Sequence, residues 1–170
     1  MGRRRARVTM SKSILLSGGF DPIHVGHIRM IIAAAKFGEV IVVVNSDDWL
    51  MRKKGYIFMP WEERVEIIRS INNVKEVIHV NDGDGTVCEA LDRLRPAMFG
   101  NGGDRTNKNT PEKALCKELG IKMVWRLGGG KVQSSTDLVK DANLAPPEVD
   151  DPEVPKPDKS IILRGKNSEN

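Results

Sequence analysis

Short apolar runs rich in β-branched residues alternate with helical patterns from Ile14 to about Lys140. The apolar runs predict strands at 14–17, 40–45, 77–80, 97–100 and 122–126. The segments between them predict helices near 26–37, 61–71, 86–95 and 111–119, and a last helix from about 135. Because strand–helix–strand units use right-handed crossovers, such a chain forms a parallel sheet with helices on both faces. The predicted fold class is α/β, a Rossmann-like doubly wound sheet of five parallel strands.

Charge and proline content divide the chain into three parts. Residues 1–12 carry five positive charges and no acid, whereas the whole chain has a net charge of +4, so the remainder is close to neutral. Arginines at 3–7 would suit contact with RNA or an acidic surface, and a solvated tail is an equal alternative. Residues 13–140 form the predicted domain. The stretch 141–170 alternates prolines with acids and is predicted to be extended or disordered.

Composition favours a single cytoplasmic domain. A chain of 170 residues is long enough for one domain with its own core. Cys88 and Cys116 stand in no motif spacing, which is typical of reduced thiols. The arginines near the start are followed by no apolar segment of the kind that a secretory signal needs, and no apolar run reaches the length of a membrane span.

The segment from Gly18 to His27 carries the strongest functional signal. It reads Gly-Gly-Phe-Asp-Pro-Ile-His-Val-Gly-His and directly follows an apolar strand. Glycines let a backbone approach a ligand closely, and the start of the next helix presents unpaired N–H groups and a partial positive charge. His24 and His27 are three residues apart, so their imidazoles lie side by side on the first turn. The segment therefore predicts a nucleotide phosphate site.

A metal site is the other interpretation of two neighbouring histidines. Structural zinc needs about four protein ligands and catalytic zinc about three. The remaining histidine, His79, lies in a predicted strand far along the chain, and no second His/Cys cluster accompanies the pair. We therefore predict no metal held by the protein alone.

Other loops carry glycine, cations or hydroxyls after successive predicted strands. Asn45-Ser46-Asp47 and the basic cluster Arg52-Lys53-Lys54 follow the second strand, and the glycine-rich 100–105 follows the fourth. The fifth strand leads through 128–133 to Ser134-Ser135-Thr136 at a new helix start, which predicts a second phosphate cradle. Because ligands of parallel α/β sheets bind beyond the carboxyl ends of the strands, we expect these loops to converge on one site.

The Gly18–His27 segment resembles the HxGH signature of the nucleotidylyltransferase superfamily, and Ser134-Ser135-Thr136 resembles its second signature. The resemblance runs from about 13 to 140, most of the chain, and excludes both tails. Within the superfamily, 44–47, Glu63-Arg64 and 102–104 are most similar to the cytidylyltransferase-like branch. That branch includes glycerol-3-phosphate cytidylyltransferase and the adenylyltransferase domain that activates heptose 1-phosphate.

The resemblance implies a reaction and a set of roles. A phosphate on a small acceptor, such as a sugar or polyol phosphate, attacks the α-phosphorus of CTP or ATP, and pyrophosphate leaves. Mg²⁺ would arrive with the nucleotide, and the protein would be a homodimer. The implied catalytic residues are His24, His27 and Lys54. The implied nucleotide contacts are Gly18, Gly19, Phe20, Asn45, Gly103, Asp104, Ser134, Ser135 and Thr136. The implied acceptor contacts are Asp21, Arg52, Lys53 and Arg64.

Several alternatives stay open at this stage. Asp21 also suits a turn-capping role, and Arg64 also suits a solvated helix face. Pro22 is shared with adenylyltransferases of coenzyme biosynthesis, of the pantetheine-phosphate and nicotinamide-mononucleotide type. The insert between Arg126 and Ser134 is longer and richer in glycine than the family pattern. A third hypothesis is that the protein is a non-catalytic regulator that binds nucleotide or RNA, using its basic arm.

Overall fold

Five parallel strands lie at the centre of the molecule. The computed structural model describes residues 12–103, 105, 110–130 and 132–142. The strands are β1 (Ser13–Gly18), β2 (Glu39–Val44), β3 (Val74–Ile78), β4 (Met98–Gly102) and β5 (Lys122–Leu127). They pair in the order β3-β2-β1-β4-β5, and every pairing is parallel. The chain thus reverses its direction of winding at β1, so the carboxyl ends of β1 and β4 flank the switch point at which α/β sheets bind ligands.

Helices cover both faces of this sheet. They are α1 (Val25–Ala35), α2 (Asp47–Lys54), α3 (Trp61–Arg69), α4 (Cys88–Leu94), α5 (Lys113–Leu119) and α6 (Ser135–Ala142). Alternate residues of β1 enter separate cores: Ile14 and Leu16 pack with residues of α1 and α3, whereas Leu15 packs with residues of α4 and α5. A strand buried on both faces explains why the apolar runs are continuous. The predicted doubly wound α/β fold is confirmed.

Helix α2 is the element that the sequence did not predict. Among its residues only Leu50 is buried, so it shows no apolar stripe. Its ends are nonetheless well marked, because the Ser46 hydroxyl accepts the Trp49 N–H and Gly55 closes the helix with φ of 78°. The basic cluster 52–54 therefore forms the last turn of a helix, not a loop ahead of one.

The remaining differences are at element boundaries. Strand β3 begins three residues before the predicted start and ends at Ile78. The exposed Lys75 and Glu76 obscured its apolar pattern, and charged residues are common on an edge strand such as this one. Helix α6 continues to Ala142, past the boundary predicted at residue 140. The arginines of the basic arm and positions 143–170 of the tail lie outside the described residues. Among the described helices, none is long and apolar enough to cross a membrane.

Candidate functional site

An open cleft of about 280 Å³ lies at the carboxyl ends of β1, β4 and β5. Its walls come from the starts of α1 and α6, the end of α2 and the loops after β4 and β5. The predicted site residues that line it are Gly18, Gly19, His24, His27, Lys54, Gly103, Ser134, Ser135 and Thr136. Segments more than 100 residues apart therefore meet at one edge of the sheet, as the loop pattern predicted. Asp104 lies outside the described residues.

The two histidines form the first turn of α1. The Nδ1 atom of His24 accepts the backbone N–H of Gly26 at 3.1 Å, and Nδ1 of His27 accepts the backbone N–H of His24 at 3.2 Å. The rings stack with their centroids 3.8 Å apart. Because each Nδ1 is an acceptor, the proton of each neutral imidazole is on Nε2. The helix start thus fixes two Nε2–H donors side by side at the cleft.

His27 is held in its neutral form. Burial is the main cause that lowers the pKa of His27 to about 3, and electrostatic repulsion from the adjacent His24 and Lys54 lowers the pKa as well. The ring also packs against Phe20, whose centroid is 4.8 Å away. At neutral pH His27 is therefore an uncharged hydrogen-bond donor, suited to a phosphate oxygen rather than to proton transfer.

This lowered pKa makes folding stability depend on pH. In the folded protein His27 stays neutral until about pH 3, whereas the unfolded chain binds a proton below about pH 6.5. The unfolded state therefore binds more protons in that window, and stability falls as the pH drops. We expect His27 alone to lower the free energy of unfolding by up to about 1.4 kcal/mol per pH unit between pH 6.5 and pH 5.

Urea unfolding of the wild type and of His27→Asn across this pH range measures the effect. Asparagine keeps an acceptor near the position of Nδ1 but does not titrate, so its profile should be shallower. Parallel profiles for the two proteins would contradict the assignment. We choose a lower limit of pH 5 because Asp82 also has a lowered pKa and adds a slope of the same sign at more acidic pH.

Of the three predicted cations on α2, Lys54 alone lines the described cleft. Its Nζ donates to the backbone oxygen of Asp21 at 2.7 Å, which places the ammonium beside the β1–α1 loop. Burial lowers the pKa of Lys54, an effect that Asp21 opposes and Arg64 reinforces. Arg52 points toward the loop after β3 and donates to the backbone oxygen of Asp82 at 2.8 Å, and Lys53 is exposed.

Arg64 and Asp21 are buried and bind backbone groups of the protein itself. Arg64 is 1% exposed and donates to the backbone oxygens of Gly19, Asn45 and Met59 at 2.7–2.9 Å, besides its ion pair with Asp47. The solvated helix-face interpretation of this arginine is wrong. Asp21 is fully buried and accepts the backbone N–H groups of 58 and 59, so its carboxylate holds a segment 37 residues away and not its own turn. Neither side chain has the open orientation that an acceptor phosphate would need.

Asn45 and Phe20, both predicted nucleotide contacts, are buried beneath the cleft and do not line it. The Asn45 amide donates to Asp82 at 3.1 Å, and the ring of Phe20 is 2% exposed. Asp82, which the sequence did not single out, also accepts the Ser46 hydroxyl at 2.6 Å. Burial raises the pKa of Asp82, but the hydrogen bonds from Ser46 and Asn45 outweigh that effect, so the net pKa is below its usual value. Asp82 is therefore ionised and anchors the start of α2.

The start of α6 is tied directly to the histidine segment. Ser135 donates its hydroxyl proton to the backbone oxygen of Pro22 at 2.8 Å. Gly128, at φ of 82°, lies so close to α1 that a Cβ atom there would be 2.8 Å from the backbone nitrogen of Met30. The glycine-rich insert thus packs against α1, and the starts of α1 and α6 lie on the same side of the cleft.

Trp49 and Arg105 line the cleft without having been assigned a role from sequence. Trp49 belongs to the unpredicted α2, and its indole N–H donates to the backbone oxygen of Gly85 at 3.4 Å. Arg105 follows β4 in the glycine-rich loop that was predicted to converge on the site. No Asp or Glu is among the described lining residues, so the described wall is suited to an anion.

Comparison with known proteins gives consistent matches. A model of the cytidylyltransferase-like family matches residues 15–140. The bifunctional protein HldE of Streptomyces coelicolor is 35% identical over 123 residues, which are 71% of this chain and 26% of that protein. The FAD synthase of Pyrococcus abyssi is 32% identical over 124 residues, which are 72% of this chain and 79% of that protein. This chain thus spans about a quarter of the first relative and about four fifths of the second.

A solved structure is similar to this chain in both fold and sequence. The lipopolysaccharide core biosynthesis protein of Thermoplasma volcanium superposes with a TM-score of 0.57 at 25% identity. The superposition covers 67% of this chain and 94% of the other. The shared part is therefore almost the whole of that protein.

Proposed function

The chain belongs to the cytidylyltransferase-like family of nucleotidyltransferases, and we propose that it transfers a nucleotidyl group from ATP or CTP to the phosphate of a small acceptor, with release of pyrophosphate. The family predicted from the two signature motifs is confirmed. The observation that carries the proposed reaction is the cleft itself. Two fixed imidazole donors, the Lys54 ammonium and two helix starts face one space, and its described lining has no acid.

In the proposed reaction an oxygen of the acceptor phosphate attacks the α-phosphorus of the nucleotide. The bond from that phosphorus to the bridging oxygen breaks, and the electron pair leaves with pyrophosphate. Both reactants are already phosphates, so the protein has no proton to remove and works by positioning and by charge stabilisation. The Nε2–H groups of His24 and His27 would donate to the α-phosphate, and Lys54 would neutralise the incoming phosphate. The start of α6, with the hydroxyls of Ser134 and Thr136, would hold the β- and γ-phosphates.

We propose that Mg²⁺ arrives at this site as part of the nucleotide complex. The described residues contain no group of three or more His, Cys, Asp or Glu that could hold a metal. The ion would therefore take its ligands from phosphate oxygens and water, as Mg²⁺ commonly does at nucleotides. When bound, it would neutralise charge on the leaving pyrophosphate.

ATP is the donor that the relatives favour. FAD contains an adenylyl group joined to the phosphate of FMN, so an FAD synthase performs the proposed type of transfer. The Pyrococcus abyssi relative, matched over 79% of its length, also favours a coenzyme-type acceptor such as FMN as a second candidate beside a sugar phosphate. Homodimerisation, contact of residues 3–7 with RNA or an acidic surface, and a cytoplasmic location remain predictions of the sequence.

A pyrophosphate-release screen tests this proposal. The four nucleoside triphosphates, with Mg²⁺, would each be combined with sugar 1-phosphates, glycerol 3-phosphate, FMN, pantetheine phosphate and nicotinamide mononucleotide. We expect release with ATP or CTP and one class of acceptor, and mass spectrometry should show the acceptor with the nucleotidyl group attached. Lys117→Ala, a change at an exposed lysine of α5 that does not line the described cleft, is the matched control and should retain activity.

Two results together would contradict the proposed enzyme activity. If no combination releases pyrophosphate, and if the chain binds RNA in a salt-sensitive manner that removal of residues 1–12 abolishes, the regulator interpretation would replace the proposed enzyme.

A further inference from the structure

We propose that Arg105 binds the phosphates of the nucleotide donor and that Glu112, which does not line the cleft, is the residue that positions it. The inference rests on the proposed function and adds two residues to its site. Arg105 follows β4, lines the cleft and has a side chain that is 32% exposed. Its Nη1 atom lies 3.7 Å from Oε2 of Glu112.

Glu112 is an unusual residue to find in the interior. It is 2% exposed, and its Oε1 accepts the backbone N–H of Val87 at 3.2 Å. Its Oε2 accepts no hydrogen bond from any described residue. A buried carboxylate oxygen is costly unless a cation compensates it, and Arg105 is the cation that the structure places there.

The carboxylate is fixed by its surroundings. The backbone oxygen of Glu112 accepts the N–H of Cys116 at 2.9 Å, where α5 begins. Val87, whose N–H binds the Glu112 carboxylate, directly precedes α4. The backbone N–H of Arg105 donates to Gly102 at 3.2 Å, which holds the base of the arginine against the end of β4. Two packed helices and a strand end therefore determine where the guanidinium lies.

The order of the strands assigns Arg105 to the donor. Lys54 follows β2 on one side of the histidine segment, whereas β4 lies on the other side, next to the β5 that leads to the hydroxyls of 134–136. A triphosphate that runs from the histidines to α6 passes the β4 side. The acceptor phosphate would then bind on the opposite side of the histidine segment, next to Lys54.

Direct binding of Mg·ATP and Mg·CTP, measured by calorimetry, tests the assignment without depending on turnover. For the nucleotide that the wild type binds, Arg105→Ala should weaken binding about tenfold or more, the scale of a lost charged hydrogen bond. Glu112→Gln keeps the size of the side chain and an oxygen for Val87 but removes the charge. We expect it to weaken binding about threefold to fivefold, less than loss of the arginine itself.

The double variant separates positioning from a general structural effect. If Glu112 acts through Arg105, Arg105→Ala with Glu112→Gln should bind no more weakly than Arg105→Ala alone. Glu89→Gln and Arg93→Ala, which remove an exposed ion pair of 2.9 Å on α4, are matched controls and should bind as the wild type does. Thermal unfolding of each variant identifies any that does not fold.

The possible failures are distinguishable. Unchanged nucleotide affinity in a folded Arg105→Ala would overturn the inference and leave the proposed function intact. Additive losses in the double variant would overturn the positioning role of Glu112. A wild type that binds neither nucleotide would overturn the proposed function together with this inference.

Discussion

Replacing His27 with alanine should lower kcat by about a hundredfold to a thousandfold while the protein stays folded. The imidazole is neutral, because its pKa is about 3, and its Nε2–H is fixed by the bond from the His24 backbone to Nδ1. A donor that is already oriented needs no reorganisation as charge develops on the phosphate oxygens, so its loss affects the transition state most. We expect KM for the nucleotide to change less than kcat.

Two conservative variants separate the role of His27 in the helix from its role in the cleft. Asparagine retains an acceptor near Nδ1 but has no group at the position of Nε2, so His27→Asn should be as slow as the alanine variant. Glutamine places an amide N–H near the position of Nε2, so His27→Gln should recover part of the rate. His79→Ala is the control, because that ring packs edge-on against Trp61 outside the cleft. A kcat for His27→Ala within about threefold of the wild type would remove His27 from the proposed mechanism.

The sequence predicted those parts of the fold and site that depend on local patterns. β1 and β2 were predictable because strands buried on both faces are continuously apolar. The histidines, the first glycines and the hydroxyls of α6 were predictable because each belongs to a short segment with a fixed place at a strand end. Helix α2 was missed because its caps are clear but it buries only Leu50.

What could not be predicted was the direction of polar side chains whose partners come from other segments. Asp21 and Arg64 are charged residues near a phosphate motif, and nothing local indicates that one accepts two backbone N–H groups while the other binds three carbonyls. The contact between Arg105 and the buried Glu112, seven positions away, is equally invisible in the local sequence. Burial of charge is decided by tertiary partners.

The second large effect is on stability and concerns Arg64. Arg64→Ala should lower the free energy of unfolding by about 3–5 kcal/mol, because three backbone carbonyls lose a charged donor and each such loss costs about 1–3 kcal/mol. The guanidinium joins the loop after β1, the loop after β2 and the segment before α3 through Gly19, Asn45 and Met59. Its removal takes from these carbonyls, and from the partly exposed Asp47, the charged donor that they share.

Urea unfolding followed by circular dichroism measures this loss, and two further variants identify its cause. Lysine keeps the positive charge but lacks the planar fork that reaches several acceptors, so Arg64→Lys should recover only part of the stability. Arg69→Ala, on the exposed side of the same helix, should change stability by no more than about 0.5 kcal/mol. If Arg64 instead bound the acceptor phosphate, Arg64→Ala would keep its stability and raise the acceptor KM. Because the carbonyl of Gly19 is one of the three that Arg64 holds, we expect the destabilised variant also to lose the fixed geometry of the histidine segment, so its kcat should fall even below its unfolding temperature.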